Sequence, residues 1–206
     1  MSKVEFFFDV SSPWTYLAFR GLTSLCAELG VDIVWKPILV GGVFNAVNPA
    51  IYEHREKPVA VKKSYEQKDR ADWVRYYGME SVLKPGVPPV FPVNSVKAMR
   101  GAFVAIEAGQ IVPYAERLFA AYWGEHKDIS QDDVLGAAVS AVGMDRKAFF
   151  EKIATQPYKD KLRNTTDELI KRGGYGSPTM YLDGSDMFFG NDRLFLLRAA
   201  ILRKQR

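Results

Sequence analysis

The sequence predicts an α/β fold with a large all-helical block set between two strand-bearing ends, and three observations carry that reading. Val4 to Ile38 reads strand, helix, strand. From about Lys57 to Gly173 the strand signal nearly vanishes and apolar residues fall at helical spacing instead. From Ser177 onward two short strands enclose a turn, and an amphipathic helix ends the chain.

The first strand rests on Val4 and Phe6 to Phe8, a short continuous apolar run rich in aromatics. Ser12 before Pro13 then opens a helix, with a hydroxyl at the N-cap and a proline at the first helical position, where a missing N–H costs nothing. Leu17, Ala18, Leu22, Leu25, Cys26 and Leu29 recur at three- and four-residue steps until Gly30 stops the helix. Val31 to Ile38 alternates, with Pro37 near its end, and reads as a second strand that completes a βαβ unit. Gly41-Gly42-Val43-Phe44 and Asn48-Pro49 form a turn-rich passage, expected to be an ordered loop with a short helical turn.

Pro58 to Tyr77 reads as a long helix, with Gly78 just past its end. Leu83 to Pro92 is too rich in proline for a helix interior and must be extended connector. Further helices are predicted over Ser95 to Ala108, Val112 to Gly124, Gln131 to Val142 and from Asp145 through Ile153. Gln156-Pro157 is expected to break the chain before a helix from Lys159 to Arg172, ended by Gly173-Gly174. Ser177 to Leu182 is a strand opening on Pro178, Asp183-Gly184 is a hairpin turn, and Met187 to Phe189 is the partner strand. Gly190-Asn191-Asp192 caps the final helix, whose Arg203 and Lys204 complement its dipole. The order β-α-β, helices, β-β-α contains no internal repeat and is that of a thioredoxin-like fold with an inserted helical domain. Residues 1–56 and 174–206 make the discontinuous thioredoxin-like domain, and residues 57–173 make the insertion.

The 206 residues suffice for one good-sized core or two closely packed subdomains. With 48% apolar and 25% charged residues the composition is that of an ordinary globular protein. The longest apolar runs are too short to span a bilayer and the N-terminus lacks the form of a secretory signal, so a cytoplasmic protein without a membrane role is expected. The net charge of +4 is mild and its basic residues are interspersed with acids. Lys62, Lys63, Lys68, Arg70 and Arg75 alternate with Glu66, Asp69 and Asp72 in the manner of a solvated helix face. A small anionic ligand suits this balance better than nucleic acid, for which no zinc-finger spacing, RNP-like motif or basic stripe is present. The single cysteine, Cys26, excludes an intramolecular disulfide or a Cys-x-x-Cys pair and reads as a packed thiol. His54 and His126 lack partner spacing, so neither a metal site nor a Ser-His-Asp triad is indicated.

Chemistry is expected where the first strand runs into the first helix. There the Ser12 hydroxyl lies beside backbone N–H groups with no helical partner, at a terminus carrying roughly half a positive charge. Alone, a Ser-Pro pair at a helix start is only a cap. The rest of the chain alters that reading.

Phe8-Asp9-Val10-Ser11-Ser12-Pro13, Gly41 to Phe44, Asn48-Pro49, Lys62 three residues before Tyr65, Phe91-Pro92, Ala98-Met99-Arg100, Gly176-Ser177-Pro178-Thr179 and Phe189-Gly190-Asn191-Asp192-Arg193-Leu194 occur in this order. Together they resemble the 2-hydroxychromene-2-carboxylate isomerase family, relatives of kappa-class glutathione transferases and DsbA-type oxidoreductases. The resemblance spans nearly the whole chain. It implies a homodimeric, glutathione-dependent enzyme acting on an unsaturated aromatic acid, with Ser12 as the active serine. Redox relatives hold a reactive cysteine pair at that corner, whereas a serine implies that the thiol arrives with glutathione. Lowering a thiol pKa by about two requires roughly 2.7 kcal/mol of anion stabilisation, within reach of a hydroxyl donor at a helix N-terminus.

By the same resemblance Ser177 presents its backbone to the peptide part of glutathione, with Pro178 expected to be cis. Phe189, Gly190, Asn191 and Asp192 would hold the γ-glutamyl end. Asn48, Lys62 and Arg193 would contact ligand carboxylates, Lys63 competing with Lys62 for that place. Two departures stand out. Ser177 replaces the apolar residue common before this proline and is expected to alter the pocket wall, and the Val43 to Arg55 loop, expected to line the second substrate, reads more like the kappa transferases. A glutathione transferase or peroxidase acting on other electrophiles is therefore the alternative activity.

Overall fold

The structure is a computed structural model and describes residues 2–205. Its sheet has the order β2-β1-β3-β4, formed by β1 (Lys3–Phe8), β2 (Asp32–Pro37), β3 (Thr179–Leu182) and β4 (Asp186–Phe189). β2 runs parallel to β1, while β3 lies antiparallel to both β1 and β4. The unbroken apolar run of β1 follows from its central place: Phe6 and Phe8 enter the main core and Phe7 the smaller one beneath the other face, with Ile38, Val43, Leu169 and Tyr181. Phe6 and Phe8 stack with ring centroids 5.5 Å apart, and Trp35 on β2 meets both edge-on.

Helix α1 (Pro13–Leu29) begins and ends as its sequence dictates. Ser12 Oγ accepts from Thr15 N–H, and Gly30 adopts the left-handed conformation that lets its N–H reach Cys26 O. Its apolar face puts Tyr16, Leu17, Phe19 and Leu22 into a core that continues into Tyr114, Leu118, Phe119 and Trp123 of the helical block.

The passage expected to be a loop is instead two helices, α2 (Val40–Val47) and α3 (Ala50–Glu56). The glycines made α2 improbable by propensity, but tertiary bonds start it: Val40 N–H donates to Asp9 Oδ2 and Leu39 N–H to Thr166 Oγ1. After α4 (Ala60–Tyr76) the proline-rich connector lacks regular structure, and its Phe91–Pro92 bond is cis. α5 (Val96–Glu107) and α6 (Ile111–Phe119) follow, the latter running on as one π-helical turn over Ala120–Gly124. α7 (Asp132–Ala141) and α8 (Arg146–Ala154) precede α9 (Gln156–Lys171). Gln156-Pro157 does not break the chain; Pro157 sits in the first turn of α9, where it removes no helical hydrogen bond. The C-terminal α10 (Leu194–Gln205) is preceded by a 3₁₀ turn at Asn191–Arg193. Among the described residues no helix is long and apolar enough to cross a membrane.

Candidate active site

The end of β1, the start of α1 and the start of β3 converge on a cleft of about 760 Å³. Ser12 lies in its wall, its hydroxyl accepting from Thr15 N–H and donating to Ser177 O, both at 3.3 Å. Both bonds are at the long end of the hydrogen-bond range, so the O–H can turn to a better acceptor entering the cleft. The Ser177–Pro178 bond is cis, matching the sequence expectation.

A buried polar network fixes this corner. Asp9 is fully buried; its carboxylate accepts from Ser11 N–H at 2.9 Å, Val40 N–H at 2.9 Å and Ser95 Oγ at 3.0 Å. One side chain thereby ties the approach to α1 to the starts of α2 and α5. Burial raises its pKa above the usual carboxylate range, and the donated hydrogen bonds act in the opposite direction. Ser177 lines the cleft, and its hydroxyl turns inward. It accepts from Asp9 N–H at 3.0 Å and shares a hydrogen bond with Thr15 Oγ1 at 2.8 Å. A serine is thus accommodated before Pro178 because two buried polar groups need it.

The C-terminal side of the cleft holds Pro178, Phe189, Gly190, Asn191 and Asp192. Gly190 has φ of 99°, a conformation that side chains resist, and a Cβ there would meet Asp192 Oδ1 at 2.5 Å. Asn191 is buried and its Nδ2 has no hydrogen-bond partner among the described residues, leaving a donor open to a ligand oxygen. Asp192 pairs with Arg193, which is not among the cleft residues. Asn48 lines the cleft and its amide donates to Tyr175 O at 3.3 Å.

Lys62 is exposed and outside the cleft lining, while Lys63 belongs to it. The charged stretch on α4 is also more than a solvated face. Lys68 and Arg75 both pair with Asp72, but Lys63, Glu66, Asp69, Arg70 and Trp73 line the cleft. Arg55 lines it too, its guanidinium between the rings of Phe44 and Phe91 at 5.4 Å from each. Arg55 closes the loop expected to line the second substrate, whereas sequence reasoning gave no site role to Asp9, Thr15, Arg70 or Trp73. The acid ending an apolar run and the spacing of residues 63, 66, 70 and 73 were the available signals.

Cys26 lies in the core, where burial pushes its thiol up to about 11, and it takes no part in the cleft. His54 lines the cleft. No group of three or more His, Cys, Asp or Glu among the described residues is arranged to hold a metal ion.

Comparisons with known proteins fit this geometry. The family model for a DSBA-like thioredoxin domain matches residues 3–202. A 2-hydroxychromene-2-carboxylate isomerase of Pseudomonas putida is 33% identical over 204 residues, covering 97% of this chain and 94% of that protein. Glutathione S-transferase kappa 1 of Rattus norvegicus is 28% identical over 209 residues, covering 94% and 88%. A solved structure of a 2-hydroxychromene-2-carboxylate isomerase superposes with a TM-score of 0.78 at 30% identity, covering 99% of this chain and 96% of the other. With its DSBA-like thioredoxin fold and this full-length similarity, the chain belongs to the 2-hydroxychromene-2-carboxylate isomerase family.

Proposed function

We propose that the chain is a glutathione-dependent isomerase of 2-hydroxychromene-2-carboxylate or a similar unsaturated aromatic acid. The observation that carries the reading is the Ser12 hydroxyl at the N-terminus of α1, facing a cleft that contains no cysteine. Such a corner stabilises a thiolate but cannot supply one. The isomerases that are similar over nearly the whole chain support the same reading.

The residues present fit glutathione. Ser177 would offer its backbone to the peptide, with Pro178 beside it. Asn191, whose buried Nδ2 lacks a partner, would donate to the γ-glutamyl end, and Phe189, Gly190 and Asp192 would enclose that end. Asn48 and Lys63 line the cleft and would meet carboxylates, Lys63 in the place the sequence suggested for Lys62. When bound, glutathione would supply a thiolate whose reversible addition makes a conjugated double bond a rotatable single one. Ser12 acts as a hydrogen-bond donor rather than a covalent nucleophile. Among the described residues its Oγ has hydrogen bonds only with Thr15 N–H and Ser177 O, neither of them a base. A ligand N–H placed on Ser177 O would compete with the Ser12 O–H and release it toward the thiolate. The Asp9 network keeps the loop still while this exchange occurs.

The same reading makes the protein a cytoplasmic homodimer serving aromatic catabolism; exposed Val61, Tyr65 and Tyr76 on α4 supply apolar surface for a partner. The kappa transferases, similar over 94% of this chain, keep a transferase acting on other electrophiles as the second reading. The deciding test is a spectrophotometric assay of purified protein with 2-hydroxychromene-2-carboxylate, with and without glutathione. Turnover that requires glutathione is expected. Its absence, together with conjugate formation from a generic electrophile such as 1-chloro-2,4-dinitrobenzene, would transfer the assignment to the transferase.

A further inference from the structure

Helix α4 carries charges where a core helix carries apolar side chains. Lys63, Glu66, Arg70 and Trp73 follow three- and four-residue steps along its cleft side, and of its 17 residues only Val74 is buried. Arg70 is half-buried, and no hydrogen bond or ion pair joins it to any described residue. Arg172, also partly buried, is by contrast bonded to both Glu5 and Glu168. Burial lowers the pKa of Arg70, while Glu66, one turn away on α4, acts in the opposite direction without closing an ion pair. A guanidinium does not give up its proton in a protein, so the cleft wall retains a partly desolvated cation that lacks a counter-ion. An anionic group entering the cleft removes that penalty.

We infer that Arg70 selects the second substrate by clamping its carboxylate, with the substrate's aromatic ring laid against Trp73. The guanidinium fork matches a carboxylate with two parallel hydrogen bonds, and the indole three residues on, packed against Tyr77, offers an apolar surface in the same cleft wall. Of the glutathione-facing candidates, Ser177 lies just before β3 and Asn191 and Asp192 lie in the 3₁₀ turn after β4, whereas Arg70 and Trp73 both belong to α4. The assignment rests on the reading that the Ser12 corner takes glutathione, with Lys63 at the start of α4 reaching one of its carboxylates, which leaves the stretch of α4 around Arg70 and Trp73 for the other reactant. The ligand class is a planar aromatic or conjugated monocarboxylate, and an uncharged analogue of the same shape is rejected.

The test uses trans-cinnamate and its neutral isostere trans-cinnamamide as probes. Each is titrated by calorimetry into glutathione-saturated wild-type protein, Arg70→Met and Arg70→Lys. The wild type is expected to bind cinnamate roughly tenfold or more tighter than cinnamamide, as a charge-assisted hydrogen-bond pair requires. Arg70→Met binds both probes alike and keeps its glutathione affinity within about twofold. Arg70→Lys, which keeps the charge but not the fork, falls between and judges the proposal if the methionine variant misfolds. The clamp is overturned if the wild type does not favour cinnamate, if Arg70→Met retains the preference, or if glutathione affinity falls as far as cinnamate affinity. Intact cinnamate selection alongside a failed chromene assay would sink the isomerase reading and leave the clamp standing.

Discussion

At the scale of single residues, the Ser12 hydroxyl combines a structural and a chemical duty in one oxygen. It caps α1 through Thr15 N–H and holds its proton toward Ser177 O. Ser12→Ala removes both, and the two duties separate by size. Loss of the cap is expected to lower stability by about 1 kcal/mol, whereas loss of the donor to a developing thiolate is expected to cost about a hundredfold or more in turnover. Urea unfolding and steady-state kinetics on the same preparation check this; turnover near wild type would remove Ser12 from the mechanism. The motif around Ser12 was legible in the sequence, but Asp9 was legible only as a letter within it. Its bond from Ser11 is local, but that it also holds Val40 and Ser95 depends on residues 31 and 86 positions away along the chain, separations over which local patterns carry no information.

At the scale of elements, α4 buries one residue while α5 buries Ala98, Met99, Gly101, Ala102, Val104 and Ala105. The free energy needed to open a helix locally follows the apolar surface it buries. Backbone amides of α4 are therefore expected to exchange with deuterium well before those of α5. Glutathione together with an aromatic carboxylate is expected to slow them selectively. Mass-spectrometric hydrogen exchange reads both effects, and protection of α4 equal to that of α5 in the unliganded protein would refute the first. The helix itself was visible from its spacing and its Gly78 stop. Its cleft side was not, because a charged stripe facing a ligand and one facing water have the same composition. α2 was missed for the converse reason: two glycines argue against a helix that Asp9 and Thr166 start from outside.

At the scale of the whole molecule, a charged cluster joins the sheet to the helical block. Glu5 on β1 meets Arg172, just past α9, at 2.5 Å and Lys36 on β2 at 3.7 Å, and Glu168 on α9 bonds both cations. Burial disfavours the charged form of Glu5, but Arg172 and Lys36 outweigh it and hold the carboxyl below its ordinary 4.5. A depressed folded-state pKa contributes stability that is present above the unfolded value and lost as pH falls through the folded one. Asp9, raised by burial, works in the other sense, its contribution fading as pH rises through its folded value. Comparing wild type with Glu5→Gln by urea unfolding from neutral pH to about pH 3 isolates the first term. The stability gap between them is expected to shrink on acidification, and a gap constant with pH would show that the cluster contributes nothing through charge.

The sequence by itself determined the order of strands and helices, the central strand, both ends of α1 and the family. Each of these is written in contacts between near neighbours or in apolar periodicity, which survive without coordinates. Only the tertiary structure decided that Lys63 rather than Lys62 lines the cleft, that the Ser177 hydroxyl faces inward, and that Arg70 stands there without a counter-ion. Whether a polar side chain meets water, a partner or a ligand depends on which distant segments close around it, and that is settled by packing rather than by the neighbours it has in the chain.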